Sequence, residues 1–442
     1  MVAIGLLEIP PEIQLQVAEF AETSQTLKAL SVTSRSLRSI AQSVLFETLR
    51  IDLGKELRGS IDDLLANPRI CAAIRFLKLR GRPQFSPRST RNEEEKLSLI
   101  KKIVPGMVGL RKVSITQVDL TKGFLDAVLG IAANTPLQID LGWNVYPSGI
   151  TLTPNTPVQI SHLHFVAVDC YSLEFYRSIF HASATTLTVL SVRADGDGLM
   201  KLADINLPFL YDLTLVITTT DKVSGPSAAA FITAQRSIRK LDLRGKVRGL
   251  PPIPPGALPD LHELNAPTEL VNQLVPGRPV EAIEVSSSQG CDQDWFGEEV
   301  ARSTTGVRKL RVHLKTAILD TRMVKRMVTI LPSLESLWLS VFDDVSVPFA
   351  RITLAHFLQT LLNVVEVLTS LKYLKSLRFN LFRRENWVNH NVSGIATKLR
   401  NANSSFSFLE IREGGASGWK NTFSIWNEVF GVFHDMESVS SL

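Results

Sequence analysis

The chain has 442 residues, of which 45% are hydrophobic and 21% charged, a composition typical of globular domains that excludes disordered and collagen-like chains. Its three cysteines, Cys71, Cys170 and Cys291, lie far apart and form no Cys-x-x-Cys pair, so neither a zinc knuckle nor a disulfide framework is predicted. A net charge of +5 spread along the chain indicates no nucleic-acid partner. The length allows roughly three domains, unless one repeated unit builds a continuous core.

Neither a membrane segment nor a targeting signal is predicted. No stretch approaches the roughly 18 uninterrupted apolar residues of a spanning helix. The start of the chain has no basic segment ahead of its short apolar run at residues 2–7. We therefore expect no membrane contact, and a cytoplasmic or nuclear protein whose thiols stay reduced.

Residues 1–50 predict a module of three short amphipathic helices. Pro10 and Pro11 suit the start of the first, because a proline in the first turn loses no hydrogen bond. Ser24 suits the start of the second as its N-cap. The third helix is predicted over about residues 34–46, where apolar residues recur at helical spacing.

The first predicted helix is apolar on more than one side. Ile13, Val17 and Phe20 share one face at the spacing i, i+4, i+7, while Leu15 and Ala18 point elsewhere. Some 40 residues bury too small a core to be stable alone. The second apolar face therefore predicts docking, either on a partner or on the segment that follows.

Beyond this module, three apolar positions spaced i, i+3, i+5 recur thirteen times, with helix-like segments between them. We call each occurrence a phrase. The mean spacing of about 28 residues lies near the upper end of leucine-rich-repeat periods. The third positions of the phrases are Leu79, Ile115, Leu141, Phe165, Val192, Leu215, Leu243, Ala266, Val285, Val312, Leu339, Phe379 and Ile411.

A strand followed by a helix, repeated in this way, predicts an α/β solenoid over residues 51–442, with a parallel sheet of about 13 strands. The competing fold is a doubly wound sheet, whose strands are buried on both faces and continuously apolar. Here they alternate, as in Lys309-Leu310-Arg311-Val312-His313. This favours a horseshoe with one open polar face. The repeats are irregular, because the spacing varies and the asparagine that usually follows the strand is mostly missing.

The open polar face is the expected substrate surface. Trp338 is its most informative residue, because a large exposed aromatic often anchors a partner. The alternative, that a later segment covers Trp338, stays open. Its predicted neighbours are basic, which suggests an acidic or phosphorylated ligand. The candidate substrate-binding residues are Lys309, Arg311, His313, Trp338 and Arg378.

Two segments late in the chain carry further patterns. Residues 251–255, Pro-Pro-Ile-Pro-Pro, favour a connector between two repeats over a polyproline ligand for a partner. At the C-terminus, aromatic residues at helical spacing predict a capping helix that closes the last repeat, since an open solenoid end must be covered. These aromatics are Trp419, Phe423, Trp426, Phe430 and Phe433.

No catalytic, metal or cofactor motif is present, so a non-catalytic protein without a cofactor is predicted. The chain contains no GxSxG, no GxxxxGK[ST], no HExxH and no GxGxxG opening a helix. His162 and His164 share a strand face, but no carboxylate or thiol at matching spacing completes a metal site. Asp195-Gly196-Asp197-Gly198 favours a turn over a calcium loop, because Asn206 stands where that loop requires glutamate.

The N-terminal module resembles an F-box. The resemblance covers about residues 6–50 and rests on Ile9-Pro10-Pro11-Glu12-Ile13, on the helix junction from Leu27 to Arg38, and on Ala41-Gln42-Ser43-Val44-Leu45-Phe46-Glu47-Thr48-Leu49. The family pattern has Leu, Cys and Trp where this chain has Ile9, Thr33 and Leu37. The irregular repeats that follow look like those of fungal F-box proteins.

The resemblance implies the substrate-recognition subunit of an SCF-type (cullin–RING) ubiquitin ligase, with the F-box on a Skp-type adaptor and the repeats on a protein substrate. The alternatives are a leucine-rich-repeat binding scaffold without a ligase connection, in which the module only caps the first repeat, and an enzyme on a repeat scaffold, which no motif favours. The positions that match adaptor-binding residues of the family are Ile9, Pro10, Glu12, Ile13, Leu27, Leu30, Leu37 and Ile40.

Overall fold

The structure is a computed structural model. It describes residues 10–20, 24–55, 58–81, 90–142, 158–166, 173–195, 198–199, 202–218, 224–245, 250–285, 298–314, 321–341, 354–382, 392–414, 421–427 and 433–438. The chain forms two compact units, Met1–Leu210 and Tyr211–Leu442. In both units the strands follow one another in the sheet in chain order, as expected for a solenoid-like α/β fold.

Unit 1 begins with three helices and continues with alternating strands and helices. Its strands pair in parallel with the next strand along the chain. The helices are α1 Pro11–Glu19, α2 Ser24–Thr33, α3 Arg35–Leu45, α4 Arg58–Leu65, α5 Pro68–Ala73, α6 Thr90–Ile103, α7 Lys122–Ala132 and α8 Leu173–Ser183. The strands are β1 Thr48–Asp52, β2 Phe76–Arg80, β3 Lys112–Thr116, β4 Leu137–Gly142, β5 Ile160–Val166 and β6 Val189–Ala194.

Unit 2 continues the same alternation, and its first eight strands are parallel. The helices are α9 Ser224–Ala234, α10 Thr268–Leu274, α11 Thr321–Ile330, α12 Leu354–Leu368 and α13 Val392–Ala402. The strands are β7 Asp212–Ile217, β8 Lys240–Gly245, β9 Glu263–Ala266, β10 Ala282–Val285, β11 Lys309–Leu314, β12 Ser336–Val341, β13 Ser376–Phe382, β14 Phe408–Gly414, β15 Asn421–Asn427 and β16 Phe433–Ser438.

The thirteen phrases correspond to β2–β14, and this part of the prediction is confirmed. One further parallel strand, β1, precedes them. It spans the predicted boundary at residue 50 between the helical module and the solenoid. Leu49 and Ile51 in this strand, with Phe46 just before it, also follow the spacing i, i+3, i+5. The parallel strands therefore begin one repeat earlier than predicted, inside the segment that resembles an F-box.

Alternation along each strand separates a buried face from a polar face. In β7 the side chains of Leu213 and Leu215 are fully buried, and helix α9 adds Phe231 and Ile232 to the core. Burying a side chain of this size contributes about 1.5–3 kcal/mol. The three apolar positions of each phrase thus form one buried layer per repeat, which faces the helix of that repeat.

The three predicted N-terminal helices are present. Pro11 lies in the first turn of α1, and the Ser34 side chain caps α3 by accepting a 3.1 Å hydrogen bond from the Leu37 backbone N–H. Ala18, Leu27 and Ala41 form a small core between the helices. Helix α3 also contacts α5, so this module packs on the first repeat of unit 1.

The prediction of a C-terminal capping helix is wrong. Residues 421–427 and 433–438 form β15 and β16, which add two antiparallel strands to β14. In β15 the sequence Thr422-Phe423-Ser424-Ile425 alternates with period two and is rich in strand-forming residues. The exposed edge of β14 also needs a backbone partner, which a strand supplies and a helix does not.

The proline-rich residues 251–255 lie between β8 and β9, in the position of a connector. Ile253 is 5% exposed, and the Pro254 carbonyl accepts a 2.9 Å hydrogen bond from Nη2 of the buried Arg278. This anchoring is what the connector interpretation requires.

Within the residues that the structure describes, no helix is both long and apolar enough to span a membrane.

Candidate binding surfaces

Helix α1 presents an apolar face to solvent. Its buried residues are Gln14 and Ala18. The face that the sequence assigns to Ile13, Val17 and Phe20 is exposed instead, with 43%, 41% and 84% of each residue accessible. We call these three residues the exposed α1 face. Single apolar residues are common on protein surfaces, but several on one helix face are typical of a contact surface.

The other residues that the resemblance assigns to the adaptor divide between surface and core. Ile9 lies outside the described residues. Leu27 and Leu37 are 7% and 5% exposed, and Leu30 and Ile40 pack against the core of the three helices. These four residues hold the module together, so the surface available for contact comprises Pro10, Glu12 and the exposed α1 face.

The register of β8–β14 places seven side chains side by side across the polar face of unit 2. Each is the residue directly after the second apolar position of its phrase. This rule, which we call the phrase rule, locates all seven from the sequence. We call this set the central row, and its members are Asp242, Asn265, Glu284, Arg311, Trp338, Arg378 and Glu410.

Three of the five predicted substrate-binding residues meet in the central row. Arg311 and Arg378 are the register partners of Trp338 on either side. Their guanidinium carbons lie 3.6 Å and 5.5 Å from the centroid of the Trp338 ring, within the range of cation–π attraction. Trp338 is half-buried, and its neighbours' guanidinium groups lie over its ring. The other two residues, Lys309 and His313, flank Arg311 on β11.

Two glutamates of the central row were missed at the sequence level. The carboxylate of Glu284 lies 3.3 Å from Arg311 Nη1 and 3.1 Å from His313 Nε2. Glu410, almost fully buried, lies 3.2 Å from Arg378 Nε. Both arginines thus have a carboxylate partner, which leaves less free positive charge on this face than the sequence suggests. Applying the phrase rule to β10 and β14 identifies both glutamates.

The environment of Glu284 favours its charged form. Burial alone raises the pKa of this carboxyl, but the hydrogen bond from His313 and the charges of Arg311, His313 and Arg244 outweigh it. The net result is a pKa below the ordinary range of a glutamate. The group is therefore ionised in the folded protein at neutral pH.

We expect Glu284→Gln to destabilise unit 2 by about 1 kcal/mol at neutral pH, since it removes charge-assisted contacts that are partly exposed. Because the folded-state pKa is lowered, this contribution is present above the unfolded-state pKa and is lost as the pH falls through the folded-state value. Urea unfolding of both proteins along a pH series measures the difference.

The matched control is Glu366→Gln on α12, whose side chain is 71% exposed and whose carboxylate lies 3.7 Å from Lys398 Nζ. This change is expected to alter stability by less than about 0.5 kcal/mol at any pH in the series. A difference between wild type and Glu284→Gln that persists at acidic pH, or that equals the control at neutral pH, contradicts the prediction.

A pocket of about 340 Å³ opens on the polar face over β8–β12. Its wall is formed by the central row from Asp242 to Trp338 and by the row two residues earlier on each strand. We call this second set the lower row. Its members are Lys240, Glu263, Ala282, Lys309 and Ser336.

The two histidines on β5 have partners of other kinds. His162 Nδ1 lies 3.0 Å from Ser161 Oγ, and His164 Nε2 lies 3.9 Å from the Asp140 carboxylate. Asp195 accepts a 2.9 Å hydrogen bond from the Gly198 backbone N–H, as in a turn. Among the described residues, no cluster of three or more possible ligands could hold a metal ion.

The comparisons with known proteins name no family: no model of a known protein family matches the chain, and no curated protein sequence matches it. In the absence of a matching family, the fold and the surfaces define the structural class of the protein. The chain is an α/β protein of repeated strand–helix units with a parallel sheet. It carries an exposed apolar helix face in unit 1 and a polar sheet face with a pocket in unit 2.

Proposed function

We propose that this chain is the substrate-recognition subunit of an SCF-type (cullin–RING) ubiquitin ligase. Its N-terminal helices bind a Skp-type adaptor, and its polar sheet face binds a protein substrate. The observation that carries the proposal is the exposed α1 face, because it lies inside the segment that resembles an F-box. The chain itself performs no chemistry in this proposal, and its place is the cytosol or the nucleus.

The physical basis of adaptor binding is burial of an amphipathic helix face in an apolar groove. In unit 1 Phe20 exposes most of its surface, and Ile13 and Val17 each expose somewhat less than half, so an apolar groove can bury this remaining surface on binding. Burying a fully exposed side chain of this kind contributes about 1.5–3 kcal/mol, and the partly exposed Ile13 and Val17 contribute less. Pro10 and Glu12, also exposed, lie at the start of the same helix and border this surface.

We expect the full-length chain to capture the purified adaptor, and Ile13→Asp and Phe20→Asp each to weaken capture by about thirtyfold or more. Each change removes apolar burial, about 1 kcal/mol at Ile13 and about 2 kcal/mol at Phe20, and also places a charge in the groove. Titration calorimetry with wild type and both variants measures the affinities. Because both positions are exposed, the variants should keep the circular dichroism spectrum of the wild type.

The matched control is Val108→Asp, which changes another exposed apolar residue, 68% accessible, in the turn before β3. It should bind the adaptor as wild type does. Absence of adaptor binding by the wild-type chain at micromolar concentration rejects the ligase proposal. Equal loss in the Val108 variant and the α1 variants rejects the assignment of the contact to α1.

The second candidate is a leucine-rich-repeat binding scaffold in which the three helices only cap the first repeat. The contact between α3 and α5 favours it, because a solenoid needs its open end covered. A cap requires no exposed apolar face, whereas adaptor docking does. The experiment with Ile13 and Phe20 therefore separates the two candidates.

In both candidates the partner protein binds the polar face of unit 2. The proposed substrate-binding residues remain Lys309, Arg311, His313, Trp338 and Arg378. The structure supports their assignment to one surface, because they lie on the adjacent strands β11, β12 and β13. Stacking over Trp338 and the ion pairs with Glu284 and Glu410 hold the two arginines in place.

A further inference from the structure

Most charges that line the pocket over β8–β12 are already neutralised. The Asp242 carboxylate accepts two hydrogen bonds from the Arg244 guanidinium, at 2.9 Å and 2.6 Å. Lys240 lies 3.4 Å from Asp212, and Arg311 pairs with Glu284 as described above. These groups shape the wall of the pocket, but most of their charge is balanced within the protein.

Two opposite charges of the lower row remain. Glu263 on β9 and Lys309 on β11 are both exposed, and neither forms an ion pair with any residue that the structure describes; Glu335, which pairs with Arg308 and Lys375, attracts Lys309 without forming an ion pair with it. Ala282 on β10 separates them in the register, and its small side chain leaves the space between them open. In the central row, Oδ1 of Asn265 is buried and accepts no hydrogen bond from the described part of the chain.

A buried acceptor without a donor is costly, at about 1–3 kcal/mol, unless a bound group satisfies it. Oδ1 of Asn265 and the Glu263 carboxylate lie two residues apart on the same face of β9. Together they favour a cationic group that donates hydrogen bonds. On the other side of Ala282, the Lys309 ammonium favours a carboxylate.

The spacing of these groups fits an extended chain. Adjacent strands are about 4.8 Å apart, so Glu263 and Lys309 are separated by roughly 10 Å at the backbone. In an extended peptide, side chains two residues apart point the same way and lie about 7 Å from each other. The Glu263 and Lys309 side chains are long enough to bridge the difference between the roughly 10 Å backbone separation and this spacing of about 7 Å. The five strands of the pocket span about 19 Å, which six extended residues match.

We infer that the pocket binds an extended segment of the substrate protein that carries a basic and an acidic side chain two residues apart. The basic side chain contacts Glu263 and Asn265, and the acidic one contacts Lys309. This inference rests on the part of the proposed function that assigns substrate binding to the polar face. It does not require the adaptor.

The test uses the full-length chain and acetylated, amidated heptapeptides of alanine with Lys, Asp or Ser at the third and fifth positions, in every combination. Affinities are measured by NMR titration at up to millimolar peptide. The peptides with one Lys and one Asp should bind at least about fivefold more tightly, in one order or the other, than the like-charged and serine peptides.

Variants assign the two charges. Glu263→Gln should remove the preference for lysine, and Lys309→Gln should remove the preference for aspartate. The double exchange Glu263→Lys with Lys309→Glu should restore tight binding with the opposite order of the two side chains. Lys325→Gln, an exposed lysine on α11 outside the pocket, is the matched control and should change nothing.

Several results overturn the inference. These are tightest binding of the doubly acidic peptide, equal affinity of all peptides, or an unchanged preference in Glu263→Gln. Adaptor capture by the pocket variants keeps this test separate from that of the ligase. If the adaptor is captured without peptide preference, the pocket inference fails alone. If the peptide preference holds without adaptor capture, the ligase proposal fails alone.

Discussion

Arg278→Met is expected to destabilise unit 2 by about 3–5 kcal/mol, because Arg278 is 1% exposed and its guanidinium joins two segments through backbone carbonyls. One segment is the proline-rich connector before β9, and the other is the end of α10 with the turn that follows. The accepting carbonyls, at 2.8–3.4 Å, belong to Pro254, Ala257, Gln273, Leu274 and Pro276.

Methionine keeps most of the apolar stem of Arg278 but donates no hydrogen bond. The hydrogen bonds to Ala257 and Leu274 are buried, and a buried carbonyl left without a donor costs about 1–3 kcal/mol. One effect opposes this loss, since burial disfavours the charged form and lowers the pKa of Arg278. Removing the charge therefore recovers part of its desolvation cost. The loss of the donors dominates because they serve several carbonyls at once.

Arg278→Lys should not restore stability, because one ammonium cannot reproduce the planar array of guanidinium donors. Urea unfolding measures both variants. The matched control is Arg239→Met, an exposed arginine in the same unit, which should lie within about 0.5 kcal/mol of wild type. Equal effects at Arg278 and Arg239 would show that the buried network contributes little.

Arg278 illustrates what the sequence does not reveal. It lies in Pro276-Gly277-Arg278-Pro279, a segment that looks like an ordinary polar turn. No periodicity marks a charged residue as buried, since its partners are carbonyls up to 24 positions away in the chain. The residue type also argues against burial, because arginine side chains are mostly exposed in folded proteins. Only the three-dimensional arrangement shows its role.

The strands, in contrast, are largely predictable. The phrase combines period-two alternation with a fixed repeat, and both follow from burying one sheet face. The same reasoning fails after Ile411, where repetition ends. There the aromatics at 419–433 fit a helical spacing, but the local alternation of β15 and the open backbone of β14 decide the structure. The spacing of apolar residues in a segment determines its secondary structure only where the pairing of that segment with neighbouring strands agrees with it.

The candidate surfaces were predicted in part. Helical spacing correctly groups Ile13, Val17 and Phe20, yet spacing alone cannot say whether that face is buried or exposed. On the sheet, alternation places Trp338, Arg311 and Arg378 on the polar side. Their pairing with Glu284 and Glu410 depends on register between strands, which requires all phrases to be aligned together.

The second large effect is expected at Gly245, where Gly245→Ala should destabilise unit 2 by about 2–5 kcal/mol. Gly245 ends β8 with φ of +91°, a conformation that side chains with a Cβ rarely adopt. It is also the register partner of Ile217 at the end of β7. A Cβ at Gly245 would overlap the Ile217 carbonyl oxygen, which is backbone and cannot rotate away.

Gly277→Ala separates these two causes. Gly277 has φ of +74°, but a Cβ there would meet no atom within 4 Å. The conformational cost alone is about 1–2 kcal/mol. Gly245→Ala should exceed it by the cost of moving one strand end away from another, about 1–3 kcal/mol. Thermal and urea unfolding of the two variants measure both values. Equal destabilisation would mean that the ends of β7 and β8 separate freely, and that Gly245 is required for its backbone conformation alone.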